Sequence, residues 1–302
     1  MDDFSAFVDS GITTFDTADI YGPSERLIGS YLSSPAHRTS GTPCQVFTKF
    51  CCFGDSMRQA RTSLDFVEHS IDKSRSNLGL DTLDCVQFYW HDYTDSGYVD
   101  AAKNLAEVQS KGKINTLGVT NFDTPRLQEI VEVGGVEVRV NQIQYSLLDT
   151  RPDTGMVEYC LSKGISICPY GTVAGGFLSD TYLGARPQDV AVNTYSMSKY
   201  ASVINQRGGW DWFQSLLQVL REVADAHGNG IGIAEVASRW VLQRPAVAAI
   251  IVGARNASHV EQHKKIFSFE LSGGDLEKID GVMREGKRPT SDVYAWERGG
   301  RW

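Results

Sequence analysis

Residues 114–127 read INTLGVTNFDTPRL, and the fold turns on how this stretch divides. INTLGVT (114–120) is a β-branched, apolar run of strand length that becomes polar at its end. After Asn121, either Asp123 or Thr124 can cap a helix. Pro125 stands at the first helical position, where its missing N–H costs nothing. A strand thus passes directly into a helix. The same handover recurs on both sides: ITTFDTA (12–18), QVFTKF (45–50), CVQFYWH (85–91), VRVNQIQY (138–145), ISICPYG (165–171) and AAIIVGA (248–254) read as further strands. Helical patterns separate them. Residues 63–78 put Val67, Ile71 and Leu78 on one stripe and close at Gly79, and residues 99–111 and 154–163 close at Gly112 and Gly164. Residues 211–226 carry Phe213, Leu216, Leu217, Leu220 and Val223 on one face, and Pro245 stops a helix over 233–242.

A β-then-α rhythm with no linker or composition break predicts a parallel sheet covered by helices, as one domain over residues 1–302. An open dinucleotide-binding sheet would begin with strand, GxGxxG and helix; that motif is absent, and Gly171, Gly175 and Gly176 lack its spacing. The expectation is therefore a (β/α)8 TIM-type barrel. Seven strands are visible and the chain opens on a helix-like segment, DDFSAFVDSG (2–11), so the first strand is expected to be missing from this chain, before Met1. Two further features are a long loop at 172–212, with Tyr182, Tyr195, Tyr200, Trp210 and Trp212 as substrate walls or simple packing, and a tail at 286–302.

The bulk numbers narrow the class. The 302 residues are 41% hydrophobic and 22% charged, with a net charge of −8 and no run of lysine and arginine. No nucleic-acid or anionic-membrane partner is expected. No apolar stretch approaches the roughly 18 residues a bilayer span needs. The six cysteines form no CxxC pair, and no basic-then-apolar leader precedes Asp2 and Asp3. Free thiols and a cytoplasmic location follow as expectations.

Barrel chemistry gathers where strands end, so the polar residues there are the candidates: Asp16 with Tyr21 beyond it, Lys49, Tyr89 with His91, Thr120 with Asn121, Gln142 or Gln144, and Tyr170. Taken singly, a lysine there can be a solvated rim residue and a tyrosine a packed one. Together, an aspartate, a lysine and a phenol form a proton-transfer group. A phenol of pKa about 10 donates poorly at neutral pH, a nearby ammonium lowers that pKa, and a carboxylate holds the ammonium. Such a unit protonates an oxygen that gains negative charge, as carbonyl reduction requires.

TFDTADIYGPSERLIG (14–29), TK (48–49), LDCVQFYWHD, LGVTNFDTPRL, VNQIQYSLLD and AIIVGARN (249–256), in this order, resemble the aldo-keto reductase superfamily. The resemblance runs from about residue 5 to residue 271. It implies an eight-stranded barrel, NADPH as the usual hydride donor, and a catalytic tetrad of Asp, Tyr, Lys and His. Asp16, Tyr21 and Lys49 match the first three, with Tyr21 as general acid. The family strand usually ends QxH where this chain has QFY, so Tyr89 stands at the histidine position and His91 lies two residues on; either can fill the fourth role.

The resemblance also implies cofactor contacts. Thr120, Asn121 and Gln142 would bind the nicotinamide carboxamide, with helix capping as the alternative for Asn121. Tyr170, followed by Gly171, would stack on the ring. Gly253, Ala254 and Arg255 would run into a helix start that receives phosphate. His259 and His263 fall where arginine and asparagine are common, so NADPH is expected over NADH without being secured. Their spacing also suits metal ligands, but no HExxH motif or third ligand accompanies them, and no metal is expected. The implied activity is reduction of a small aldehyde or ketone. A nucleotide-binding barrel that senses or scaffolds without turnover is the alternative, and oligomeric state stays open.

Overall fold

A computed structural model of the chain describes residues 2–52, 62–254, 256–300 and 302. Its strands are β1 (Thr14–Asp16), β2 (Gln45–Cys52), β3 (Leu83–Trp90), β4 (Ile114–Thr120), β5 (Val140–Gln144) and β6 (Ser166–Tyr170). They hydrogen-bond in chain order, β1 to β6. The chain divides into two compact units, Met1–Gln142 with Gly164–Ser166, and Ile143–Lys163 with Ile167–Trp302.

In the first unit, β1 to β4 and residues 140–142 of β5 pair in parallel. The register sets Asp16 beside Phe47, Lys49 beside Gln87 and Thr120 beside Gln142. Every residue of β3 except the half-buried Asp84 is buried, as expected for a parallel strand covered on both faces. Phe88 stacks on Phe50 at 5.9 Å and tilts against Phe122 at 5.5 Å. The helix Leu64–Leu78 begins where Ser63 accepts the Phe66 N–H and ends at Gly79, whose left-handed φ of 67° closes it onto Arg75. Asp123 caps the helix Thr124–Gln128 by accepting the Arg126 N–H at 3.0 Å. Asn121 is therefore not that cap.

The second unit is built on the helix Gly209–His227, whose Phe213, Leu216, Leu217, Leu220 and Val223 are fully buried. Burial of each contributes about 2 kcal/mol. Against this face pack Ile233, Val236 and Trp240 of the helix Ile233–Leu242, together with Phe177, Tyr200 and Ile204. The expected seventh strand, 248–254, does not form a ladder of its own. A single parallel bridge joins Val247 to Ile167, and the Ala248 and Ile251 N–H groups bond to Ile167 and Pro169 carbonyls at 3.1 and 2.8 Å.

The expected loop at 172–212 is largely ordered. It holds short 3₁₀ turns and a thirteen-residue helix, Tyr195–Arg207, capped by Thr194. Trp212 is buried and donates to the Val282 carbonyl, Trp210 donates to Ala185, and Tyr182 packs on Phe177 at 5.0 Å, so these three act in packing. Among the described residues no helix is long and apolar enough to cross a membrane, and all six cysteines are thiols.

Candidate active site

The first unit gathers a polar cluster around one carboxylate. Lys49, on β2 and 4% exposed, donates from Nζ to Asp16 Oδ2 at 2.6 Å and to the Thr17 carbonyl at 2.9 Å. Asp16 Oδ1 accepts from Gln87 Nε2 at 3.0 Å and Gln142 Nε2 at 2.7 Å, and Gln142 Nε2 also reaches Gln87 Oε1 at 2.8 Å. Side chains from β1, β2, β3 and β5 thus meet at Asp16. Gln142, expected to read a carboxamide, is here a ligand of that carboxylate. Gln87 was missed by sequence reasoning; its signal was a lone amide inside the apolar run CVQFYW.

Tyr21 follows on the turn after β1, its N–H bonded to Ala18 at 3.1 Å. The Lys49 ammonium lies 5.2 Å from the centre of its ring, and half of the residue's surface is exposed. Burial of the phenol, and next the Asp16 carboxylate, raise its pKa above the ordinary value. The lowering expected from Lys49 is thus not found: the net shift is upward, and the Lys49 charge is paired with Asp16 at contact distance.

Asp19 was not foreseen either. Its N–H bonds to the Lys49 carbonyl at 3.3 Å and its Oδ2 accepts the Cys51 N–H at 3.1 Å, so its carboxylate takes the next ladder donor after β1 has ended. Its Oδ1 is buried with no hydrogen-bond partner among the described residues. Burial raises its carboxyl to about 6, against the Cys51 hydrogen bonds that pull it down. Burial and Asp19 in turn push the Cys51 thiol well up.

A hydrogen bond of 3.2 Å joins the Tyr89 hydroxyl to His91 Nδ1, with Tyr89 buried and His91 exposed. Tyr89 sits beside Cys51 in the ladder, two residues beyond the Lys49–Gln87 pair. Thr120 Oγ1 donates to the Gln142 carbonyl at 3.1 Å, as does the Asn121 N–H at 2.9 Å. Asn121 adopts a left-handed φ of 60°, and the Tyr93 hydroxyl donates to its carbonyl.

The second unit contains a cavity of about 580 Å³. Tyr170, Gly171, Gly253, His259 and His263 all line it. Its floor is apolar, with Val173, Leu178, Ile251 and Ile266, and its polar groups include Ser196, Ser238 and Gln262. His263 Nε2 donates to the Gly253 carbonyl at 3.0 Å, and its ring stacks on His259 at 6.0 Å. Burial lowers the His263 pKa, so its imidazole is neutral at pH 7. Asn256 accepts the Ser258 N–H ahead of the helix Val260–Lys265. Ala254 is exposed, and Arg255 lies outside the described residues. No group of three metal-binding side chains gathers among the described residues. Burial also raises the Tyr170 phenol well above its ordinary range. The turn after it depends on Gly171, at φ 72°, because a Cβ there would lie 2.1 Å from the Tyr200 hydroxyl.

Comparison with known proteins gives concordant matches. A model described as "Aldo/keto reductase family" matches residues 1–284. The chain is 28% identical over 296 residues to flagellar radial spoke protein 5 of Chlamydomonas reinhardtii, covering 86% of this chain and 55% of that protein's length. It is 24% identical over 292 residues to an NADH-specific methylglyoxal reductase of Escherichia coli, covering 91% of this chain and 83% of that one. Among solved structures, an aldo-keto reductase from Klebsiella pneumoniae in complex with NADPH has the same fold: TM-score 0.69 at 19% identity, over 97% of this chain and 87% of that chain.

Proposed function

This chain belongs to the aldo/keto reductase family, and on that premise we propose that it reduces a small aldehyde or ketone to an alcohol with a reduced nicotinamide cofactor. The observation that carries the reading is the buried Lys49–Asp16 pair, 2.6 Å long, with the Tyr21 ring 5.2 Å from the same ammonium. Tyr21 is the general acid in this reading. A phenol held above its ordinary pKa is a weaker acid than a free one, so in this reading the transfer is driven by the negative charge that develops on the substrate oxygen and not by a phenol lowered beforehand. As negative charge grows on a carbonyl oxygen beside Tyr21, the Lys49 ammonium stabilises the phenolate left behind, and Asp16 keeps Lys49 in place. The hydrogen-bonded Tyr89–His91 pair serves jointly as the fourth member, offering a second donor to that oxygen.

The cavity of the second unit suits a dinucleotide: an apolar floor with several hydroxyls and an amide matches a nucleoside with its sugar and phosphates. Tyr170 supplies an aromatic face there. Thr120 and Asn121 remain candidates for the carboxamide. When bound, the reduced nicotinamide supplies the hydride. With His259 and His263 where arginine and asparagine are common, the grip on a 2′-phosphate is weaker in this reading; NADPH is the working donor and NADH a close competitor. The six parallel strands are read as most of a (β/α)8 barrel in a single domain.

The test is loss of reduced nicotinamide absorbance against a panel of carbonyls. Tyr21→Phe is expected to lower turnover by a factor of about 10² to 10⁴ while NADPH still binds. A second reading, a nucleotide-binding scaffold without turnover, is favoured by Tyr89 at the histidine position and by the likeness to a radial spoke protein. NADPH binding without consumption across the whole panel would establish the scaffold and exclude the reductase.

A further inference from the structure

In the second unit, five side chains form a closed ring of polar contacts. Arg151 holds Asp149 through Nε at 2.8 Å and Nη2 at 2.6 Å, and holds Glu297 through Nη1 at 2.8 Å and Nη2 at 2.9 Å. Lys199 Nζ bonds to Glu297 Oε1 at 2.9 Å and to Gln144 Oε1 at 2.5 Å, and Gln144 Nε2 returns to Asp149 Oδ2 at 2.7 Å. Two carboxylates face two cations, so the ring is neutral. Arg151 and Asp149 are 1% and 0% exposed, which makes an unpaired member costly. Glu297 lies on the short turn Trp296–Arg298 in the tail, and the Trp302 ring sits 4.8 Å from the Arg151 guanidinium.

Lys199 lies on the helix Tyr195–Arg207, within the long segment 172–212. Residues 191–196, which lead into it, are all exposed, so little apolar contact fixes its start. Ser196 and Tyr200, on either side of Lys199, line the cavity, and the Tyr200 ring is fitted against Gly171 and Gly175. The position of Lys199 therefore sets the position of that cavity wall.

We propose that Glu297, with Arg151 and Lys199, is a charge latch that pins the start of the helix Tyr195–Arg207 and thereby sets how fast a nucleotide leaves the cavity. The release half of this proposal rests on the cavity being the cofactor site. These are positioning residues, acting through Ser196 and Tyr200. Burial alone would raise the Glu297 carboxyl, but Arg151 and Lys199 outweigh it and bring it down to about 2, so the latch stays charged at neutral pH.

Two variants of the full chain test it, Glu297→Gln and Lys199→Met; the second leaves the buried Arg151–Asp149–Glu297 contacts in place if the first fails to fold. Amide hydrogen exchange is followed by mass spectrometry, and NADPH release by stopped-flow nicotinamide fluorescence. Both variants are expected to exchange faster over 194–200 with the helix Gly209–His227 unchanged, and to release NADPH roughly tenfold faster. Exchange equal to the parent in the folded variants overturns the latch. Faster exchange with unchanged release overturns its control of the cavity. A parent that binds neither NADPH nor NADH overturns the cofactor reading instead, and the exchange data then decide the latch alone.

Discussion

Gln87 lies directly opposite Lys49 across the β2–β3 ladder, and its amide nitrogen reaches Asp16 Oδ1 at 3.0 Å. One residue thus braces the partner of the ammonium while its backbone pairs with that of the lysine. Gln87→Leu removes a donor from Asp16 and the acceptor of Gln142. The expected result is roughly tenfold lower kcat and a stability loss of about 1–3 kcal/mol. Steady-state kinetics and urea unfolding of the same preparation check it.

Asp19 predicts an unusual pH dependence. Its carboxyl is raised to about 6 in the folded protein from an ordinary 3.8, so the folded state binds this proton more tightly than the unfolded chain. Stability from this group therefore falls as pH rises through that window, and above it the cost is about 3 kcal/mol at most. Asp19→Asn keeps an acceptor for the Cys51 N–H without the charge. It should be the more stable protein at pH 8, with the difference vanishing near pH 3.5, in paired urea titrations.

Gly171→Ala brings a Cβ to 2.1 Å from the Tyr200 hydroxyl on a backbone with φ of 72°. Both the clash and the left-handed conformation oppose it. A loss of about 2–4 kcal/mol is expected. Adding Tyr200→Phe removes the clashing oxygen and should recover part of it, which thermal unfolding of the single and double variants measures.

His263 predicts a pH-dependent choice of cofactor. Its pKa is lowered by burial, so it carries charge only in acid. A phosphate ester beside it binds better once the imidazole is protonated. The affinity ratio of NADPH to NADH should rise only as pH falls below the ordinary imidazole value of 6.5, and His263→Asn should flatten that rise, as read by fluorescence titration.

The sequence made parts of this molecule readable because local rules governed them. Gly79 marks a helix end through its backbone freedom, and the apolar face from Phe213 to Val223 marks a core helix through its period. Lys49 and Asp16 were legible as strand-end polar residues, and they do meet. The helix Tyr195–Arg207 was hidden because glycines and aromatics flank it and only Tyr200, Val203, Ile204 and Arg207 carry its buried stripe. Gln87 and Asp19 escaped because their roles depend on partners 71 and 32 residues away. Residues 53–61 and Arg255 lie outside the described residues, so the phosphate role expected of Arg255 rests on sequence.

The contact between Gln142 and Asp16 joins positions 126 apart in the chain. Such a contact closes late in folding, since the intervening loop entropy must be overcome by earlier strand pairing. A refolding chain that has formed its first four strands still lacks the fifth strand's amide on that carboxylate. On the proposed reductase reading, recovery of turnover on refolding is expected to report completed assembly and to lag behind the return of helical circular dichroism.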